Sequence, residues 1–275
     1  SRRRHTRCSR DWSSDVCSSD LFDLLKTADI VIENFRPGTM EEMGMSFEEL
    51  CKVKKDIILV RCSGFGQTGP YKDRPSFDPL GQAMSGLMSL TGTLEGKPIG
   101  TAFSLVDRTT ALHATIGALA ALRHRDKTGE GQVIDVCLLD SALTMVEIPA
   151  VYYLATGQEG GESGRPPYRA KDGWVVMTGG VTPKLGKLLA EVIGVEPPKA
   201  GGGGSFFGHN SPHIVNWCKE RTVDEIVGTM TKIGVPVAPV LSIPQVVKDL
   251  QMWEREMLVK MQDPLAGELH LPGLA

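Results

Sequence analysis

The 275-residue sequence is first defined by what it lacks. No apolar run approaches the roughly 18 residues that a membrane-spanning helix needs, so no membrane partner is expected. Charge is nearly balanced at -3, which leaves no basic excess for nucleic acid or a membrane surface. The six cysteines, at 8, 17, 51, 62, 137 and 218, form no CxxC pair and no zinc-like spacing with histidine, so no metal site is expected. Cys62 and Cys137 lie in apolar, strand-like runs and read as buried free thiols, which points to a reducing, cytoplasmic setting. Histidine is equally uninformative. His113 falls six residues after Asp107, off the i+3 and i+4 face. His124, between Arg123 and Arg125, suits a helix C-terminus. His5, His209, His213 and His270 have no partner at a meaningful spacing. The first twenty residues have no hydrophobic segment for a secretory signal, and their aspartates spoil a transit peptide. This Arg/Ser/Asp-rich stretch is expected to be foreign to the rest of the chain and disordered or poorly packed.

What remains is ordinary globular sequence, 41% hydrophobic and 23% charged, long enough for one sizeable core with a smaller second domain. From residue 21 the pattern is strand, loop, helix, repeated. Apolar runs at 29–33, 57–61 and 132–138 read as strands, and 39–43, 46–52, 77–90 and 140–155 as helices. Ser46 with Glu49 suggests a capping box. Strands apolar on both faces imply a parallel sheet covered by helices. A Gly/Glu/Pro-rich linker at 157–167 separates this α/β domain, residues 21–157, from a small α+β domain at 168–275. In the second domain a hairpin is expected at 168–178, helices at 183–193, 212–219, 223–233 and 244–250, and strand-like pieces at 236–241 and the C-terminus. Gly201–Gly204 reads as a flexible loop.

The chain is organised around residues 102–125, AFSLVDRTTALHATIGALAALRHR. Leu112, Ile116 and Leu119 recur at helical spacing with Ala and Gly between them, which predicts a buried helix with small faces for close packing. Asp107 stands at its start, where unpaired N–H groups welcome a carboxylate, so composition alone makes it a cap. Residues 64–69, GFGQTG, spell GxGxxG after a strand. A dinucleotide fingerprint must run directly into a helix. Here Pro70 and Pro75 follow, so these glycines read instead as turns or sites of close backbone approach.

Three stretches together resemble the family III CoA-transferases: residues 32–38 (IENFRPG), residues 63–71 (SGFGQTGPY), and Val106-Asp107 leading to residues 127–132 (KTGEGQ) and Asp135. Their order and spacing match, and residues 234–240 (GVPVAPV) through 271–273 (LPG) resemble the family's C-terminal part. The resemblance implies a Rossmann-like parallel sheet with flanking helices, an interlocked homodimer, and coenzyme A as cosubstrate with no permanently bound cofactor. It implies transfer of CoA from an acyl-CoA to a small carboxylic acid through an aspartyl anhydride and thioester, with Asp107 as the catalytic carboxylate. It also carries over Asn34, Phe35, Arg36 and Met43 as CoA contacts, and Gly64 and Gly66 as backbone close to the reacting thioester.

Two departures qualify the resemblance. Glu42 stands where many family members place an arginine facing CoA phosphates. Phe77 stands where the family's α-methylacyl-CoA racemases place a catalytic histidine; a racemase needs acid and base on opposite faces of the α-carbon, so Phe77 favours transfer. Asp78 reads as a cap for the helix beginning at Pro79. Family members also carry an N-terminal strand–helix region that supplies CoA contacts. That region is expected to be missing here, which together with Glu42 keeps a non-catalytic remnant as one alternative to transfer; a racemase or epimerase on the same fold is the other.

Overall fold

A computed structural model of the chain describes residues 16–92, 96–160, 167–177, 183–196 and 211–273. The chain divides into two compact units, Ser1–Gly164 and Arg165–Ala275. The first 15 residues, the middle of the expected linker and the glycine run at 201–204 lie outside the described residues.

The first unit is built on a parallel sheet of β1 (Ile30–Glu33), β2 (Ile58–Ser63) and β3 (Val133–Cys137), with β2 in the centre. The register pairs Glu33 with Arg61, and Arg61 in turn with Asp135. β2 alternates between two cores. Ile57 and Leu59 pack with Leu25, Met40, Met45 and Leu50 on one face, whereas Ile58 and Val60 pack with Ala114 and Ala121 on the other. Burial on both sides explains the unbroken apolar run.

Helix α1 (Val16–Leu25), α2 (Thr39–Glu42) and α3 (Phe47–Val53) cover the first face. Helix α1 begins at Val16, inside the Arg/Ser/Asp-rich stretch. Ser46 caps α3 by accepting from the Glu49 N–H at 3.3 Å, while the Glu49 carboxylate turns outward to Lys52 rather than closing the box. The helix expected at 77–90 is two, α4 (Asp78–Met84) and α5 (Leu87–Thr91), because Gly86 adopts φ +88° between them.

Helix α6 (Leu105–Thr128) covers the other face. Its small residues face the sheet. A Cβ on Gly117 would stand 2.7 Å from Ile134 Cγ2, so only glycine permits this approach. Leu112, Ile116 and Leu119, expected to be buried, are 64%, 63% and 61% exposed. The apolar periodicity is real, but it marks the face opposite the core. Helices α7 (Leu138–Leu143) and α8 (Glu147–Thr156) complete the unit in place of one helix at 140–155.

In the second unit, the hairpin β4 (Tyr168–Arg169) and β5 (Trp174–Met177) forms as expected and is extended by β6 (Val237–Pro239). Helices α9 (Pro183–Ile193), α10 (Pro212–Lys219) and α11 (Val223–Lys232) close a core around Val175, Trp217, Ile226 and Met230. Short helices α12 (Ile243–Val246) and α13 (Leu250–Glu254) precede the hairpin β7 (Leu258–Asp263) and β8 (Gly267–Pro272). No helix among the described residues is long and apolar enough to cross a membrane.

Candidate active site

A cleft of about 680 Å³ opens at the carboxyl ends of β1 and β2, where parallel sheets commonly bind ligands. Asn34, Phe35, Arg36, Gly64 and Asp107 line it together, joined by Lys72, Arg74 and Phe77 from the loop before α4. Gly66 and Met43 are not in the lining. The Gly66 N–H is committed to Ser63 Oγ at 2.9 Å, so it cannot serve an oxyanion, and Met43 packs against the core around Met40 and Leu50. Glu42 is exposed on α2.

The glycine loop 64–69 is held by the residues that follow it in the pattern. The Leu139 N–H donates to the Gly64 carbonyl at 3.2 Å, and the Gln67 N–H donates to Asp135 Oδ2 at 3.0 Å. A Cβ on Gly64 would fall 2.3 Å from Ser76 Cβ, so glycine lets the loop pass against the opposite wall. No helix follows directly, in keeping with the rejection of a dinucleotide fingerprint. The opposite wall is braced by Tyr71, which stacks edge-on to Phe65 and lies 4.0 Å beneath the Arg74 guanidinium.

Asp107 sits in the first turn of α6, but it is not the cap. The N-cap is Ser104, whose side chain caps nothing. The task falls to Asp78, whose Oδ2 accepts the Val106 N–H at 2.7 Å and the Asp107 N–H at 3.1 Å. Asp78 therefore caps α6 and not its own helix α4, correcting the sequence expectation. It is 5% exposed and also accepts from Gln82 Nε2. Gln82 is fixed in turn: its Oε1 accepts the Thr101 N–H at 2.9 Å and its Nε2 donates to Thr101 Oγ1 at 3.0 Å. With the cap supplied from elsewhere, the Asp107 carboxylate is exposed at the cleft and accepts no hydrogen bond from any described residue.

Cys62 also lines the cleft. Burial, and then the charges of Glu33 and Asp135, push its thiol above the ordinary value of 9.0, so it is held protonated at neutral pH. No histidine lines the cleft, and among the described residues no cluster of His, Cys, Asp and Glu has the makings of a metal site. His113 Nδ1 lies 3.1 Å from the buried Ser141 Oγ, away from the lining.

Sequence reasoning missed one group. Arg61, 8% exposed in β2, donates from Nε to Glu33 Oε1 at 2.8 Å and through both terminal nitrogens to Glu41 at 2.7 and 3.1 Å. The available signal was an arginine inside an apolar strand run, which must find a partner when buried.

The first unit is thus an α/β fold whose parallel sheet opens, at its carboxyl end, into a cleft lined by a glycine loop and an exposed carboxylate in the first turn of α6. The profile of CoA-transferase family III matches residues 11–275, and the chain belongs to that family. It is 31% identical over 265 residues to a succinyl-CoA–D-citramalate CoA-transferase of Chloroflexus aurantiacus, covering 90% of this chain but 65% of that protein. It is 32% identical to an acetyl-CoA:oxalate CoA-transferase of Acetobacter aceti, covering 91% of this chain and 67% of the relative. Among solved structures it resembles a CAIB/BAIF family protein from Brucella suis, with a TM-score of 0.75 at 27% identity over 94% of this chain and 75% of that one.

Proposed function

We propose that the protein is a CoA-transferase that moves CoA from an acyl-CoA to a small carboxylic acid, with Asp107 as the acyl acceptor. The observation that carries this reading is the division of work at α6: Asp78 caps the helix, and Asp107 is left with its carboxylate unbonded at the cleft.

The chemistry follows from a nucleophilic carboxylate. An Asp107 oxygen attacks the thioester carbonyl, the C–S bond breaks, and CoA leaves as thiolate, giving an aspartyl mixed anhydride. The thiolate attacks the aspartyl carbonyl carbon, releasing the donor acid and forming an aspartyl-CoA thioester. The acceptor carboxylate attacks that thioester and expels the thiolate again. The thiolate then takes the acceptor acyl group and frees Asp107. No proton is transferred at any step, which suits a cleft without histidine. Phe77 in the lining offers no acid or base for racemisation.

Arg36, Lys72 and Arg74 give the cleft cationic groups for the phosphates of CoA or for a second carboxylate on the acid. The relatives named for citramalate and oxalate support a dicarboxylic acceptor. Asn34, Phe35 and Gly64 line the same cleft and are assigned to CoA contact. The exposed apolar side chains of α6 (Leu112, Ile116, Leu119) and α8 (Ile148, Val151, Leu154) support a homodimer that covers them. Light scattering is expected to return twice the chain mass, and a monomer would refute the pairing. Free Cys51, Cys62, Cys137 and Cys218 support a cytoplasmic setting.

Hydroxylamine trapping tests the mechanism. Full-length protein incubated with an acyl-CoA and hydroxylamine is expected to carry a hydroxamate at Asp107, read by mass spectrometry. Asp107→Asn is expected to abolish transfer yet change stability by no more than about 0.5 kcal/mol, because the side chain supports no described contact. An active Asp107→Asn protein would overturn the assignment, and an unfolded one would return Asp107 to a structural role.

A further inference from the structure

Arg61 and Glu41 lie outside the lining of the cleft, whereas their shared partner Glu33 is part of it. One guanidinium joins the two ends of the loop that forms the cleft's first wall. Glu33, the last residue of β1, precedes the loop, and Glu41, on α2, follows it. The Glu33 carboxylate is itself bifunctional. Oε1 accepts from Arg61, and Oε2 accepts the Phe35 N–H at 2.7 Å, inside the loop. At the far end the Thr39 N–H donates to the Arg36 carbonyl at 3.1 Å, and Gly38 turns the chain at φ +89°. The path from Arg61 to the loop backbone is thus one carboxylate long through Glu33, and on the other side it enters α2 at Glu41, just after the loop.

We propose that Arg61 is a positioning residue: through Glu33 and Glu41 it clamps residues 34–38 in the shape that receives the acyl-CoA, an inference that rests on the transferase reading above. Direct contact with a phosphate is ruled out by geometry. The Arg61 side chain is 9% exposed, and Nε and both terminal nitrogens are already committed to carboxylates. The cluster also carries one more negative than positive charge, which repels an anion. A purely stabilising role explains it poorly, because a buried ion pair contributes little that packed apolar side chains would not, and the β1–β2 ladder already joins the strands. The bidentate fork onto Glu41 supplies direction, which a loop needs and a core does not.

The test uses Glu41→Ala, since Glu41 is the partner with 42% of its side chain exposed and its loss spares the core. Three readouts are taken on the full chain: hydrogen exchange of the Phe35 amide, KM and kcat with an acyl-CoA, and the thermal midpoint. In Glu41→Ala the Phe35 amide is expected to exchange roughly tenfold faster. KM is expected to rise roughly tenfold, equivalent to about 1.4 kcal/mol, with kcat within about twofold, the pattern of lost ground-state positioning. Arg61→Lys is expected to match it, because one ammonium cannot serve two carboxylates. Glu41→Gln, which keeps an acceptor oxygen, is expected to recover most of the loss. A folded Glu41→Ala with unchanged Phe35 exchange and unchanged KM would overturn the clamp. Wild-type protein that binds no acyl-CoA would overturn the transferase reading instead, while the exchange of Phe35 still decides whether Arg61 holds the loop.

Discussion

Asp78→Asn is the substitution on which the architecture of the site can be tested most severely. The side chains are nearly isosteric, so any effect is one of charge and of donors and acceptors. Asp78 accepts from three donors: the Val106 and Asp107 N–H groups on Oδ2, and Gln82 Nε2 on Oδ1. An asparagine has one acceptor oxygen. Turned toward α6, that oxygen leaves its NH2 facing the Gln82 NH2. Turned the other way, the NH2 faces the two helix N–H groups. Gln82 cannot flip to relieve the conflict, because its Oε1 accepts from Thr101 N–H and its Nε2 donates to Thr101 Oγ1. One buried donor left unpaired costs about 1–3 kcal/mol, and exchanging charged for neutral acceptance at the helix end costs about 1 kcal/mol more. A total of about 3 kcal/mol corresponds to a fall of roughly 6–12 °C in the midpoint of a unit of this size. The Asp107 N–H is one of the groups released, so the carboxylate it carries shifts with the helix start. A displacement of about 1 Å lowers kcat by roughly a hundredfold. Calorimetry and steady-state transfer assays measure both. The double variant Asp78→Asn/Gln82→Glu restores a donor facing an acceptor at the contact and is expected to recover about half of the lost stability. An Asp78→Asn protein with wild-type midpoint and wild-type kcat would show that Asp78 neither caps α6 nor sets Asp107.

Two glycines of the KTGEGQ stretch are expected to separate. A Cβ on Gly131 would stand 1.9 Å from the Ile57 carbonyl oxygen, so Gly131→Ala must push β3 from β2 and is expected to cost about 3 kcal/mol in urea unfolding. Gly129→Ala meets open space and bears only the left-handed φ of +74°, so about 1 kcal/mol is expected; equal losses would refute the distinction. Acid is expected to release the Arg61 clamp from the Glu41 side. Hydrogen bonds from Arg61 hold the Glu41 carboxyl below its ordinary value of 4.5, so the contribution is complete above that pH and disappears as pH falls through the lower folded-state value. Exchange at Phe35, corrected for its intrinsic pH dependence, is expected to accelerate there and not above pH 4.5.

Period and punctuation carried most of the fold. The three apolar runs of the first unit became the three parallel strands, because a strand buried on both faces has no polar alternation to confuse it. Boundaries went wrong where one glycine decided the matter, as at Gly86, whose positive φ splits an otherwise continuous helical pattern. The face of α6 went wrong for a different reason. Periodicity reports that a helix has an apolar stripe and is silent on which side the sheet lies; here close approach of Gly117 to Ile134 governs, and the large residues turn away. At the site, the motif residues that meet at the cleft come from three separate stretches, and spacing along the chain says nothing of their meeting. Asp78 and Arg61 were illegible because each acts on backbone or carboxylates far along the sequence, from a position that also fits a local role.

On the transferase reading, the two roles open to Asp107 separate because a helix has one start but several orphan N–H groups. A carboxylate that caps its own helix is bound by hydrogen bonds and turned back toward the backbone, which blunts it as a nucleophile. A carboxylate in the first turn with the cap supplied by another strand of chain keeps its position while its oxygens stay free. Asp78 provides that service from 28 residues upstream of Val106, and it is itself locked by Gln82 and Thr101. Rigidity and availability, which one aspartate cannot combine, are thereby divided between two. On the other wall, the clamp proposed for Arg61 and Glu33 would divide the work in the same way, holding the 34–38 loop while Asn34, Phe35 and Arg36 line the cleft.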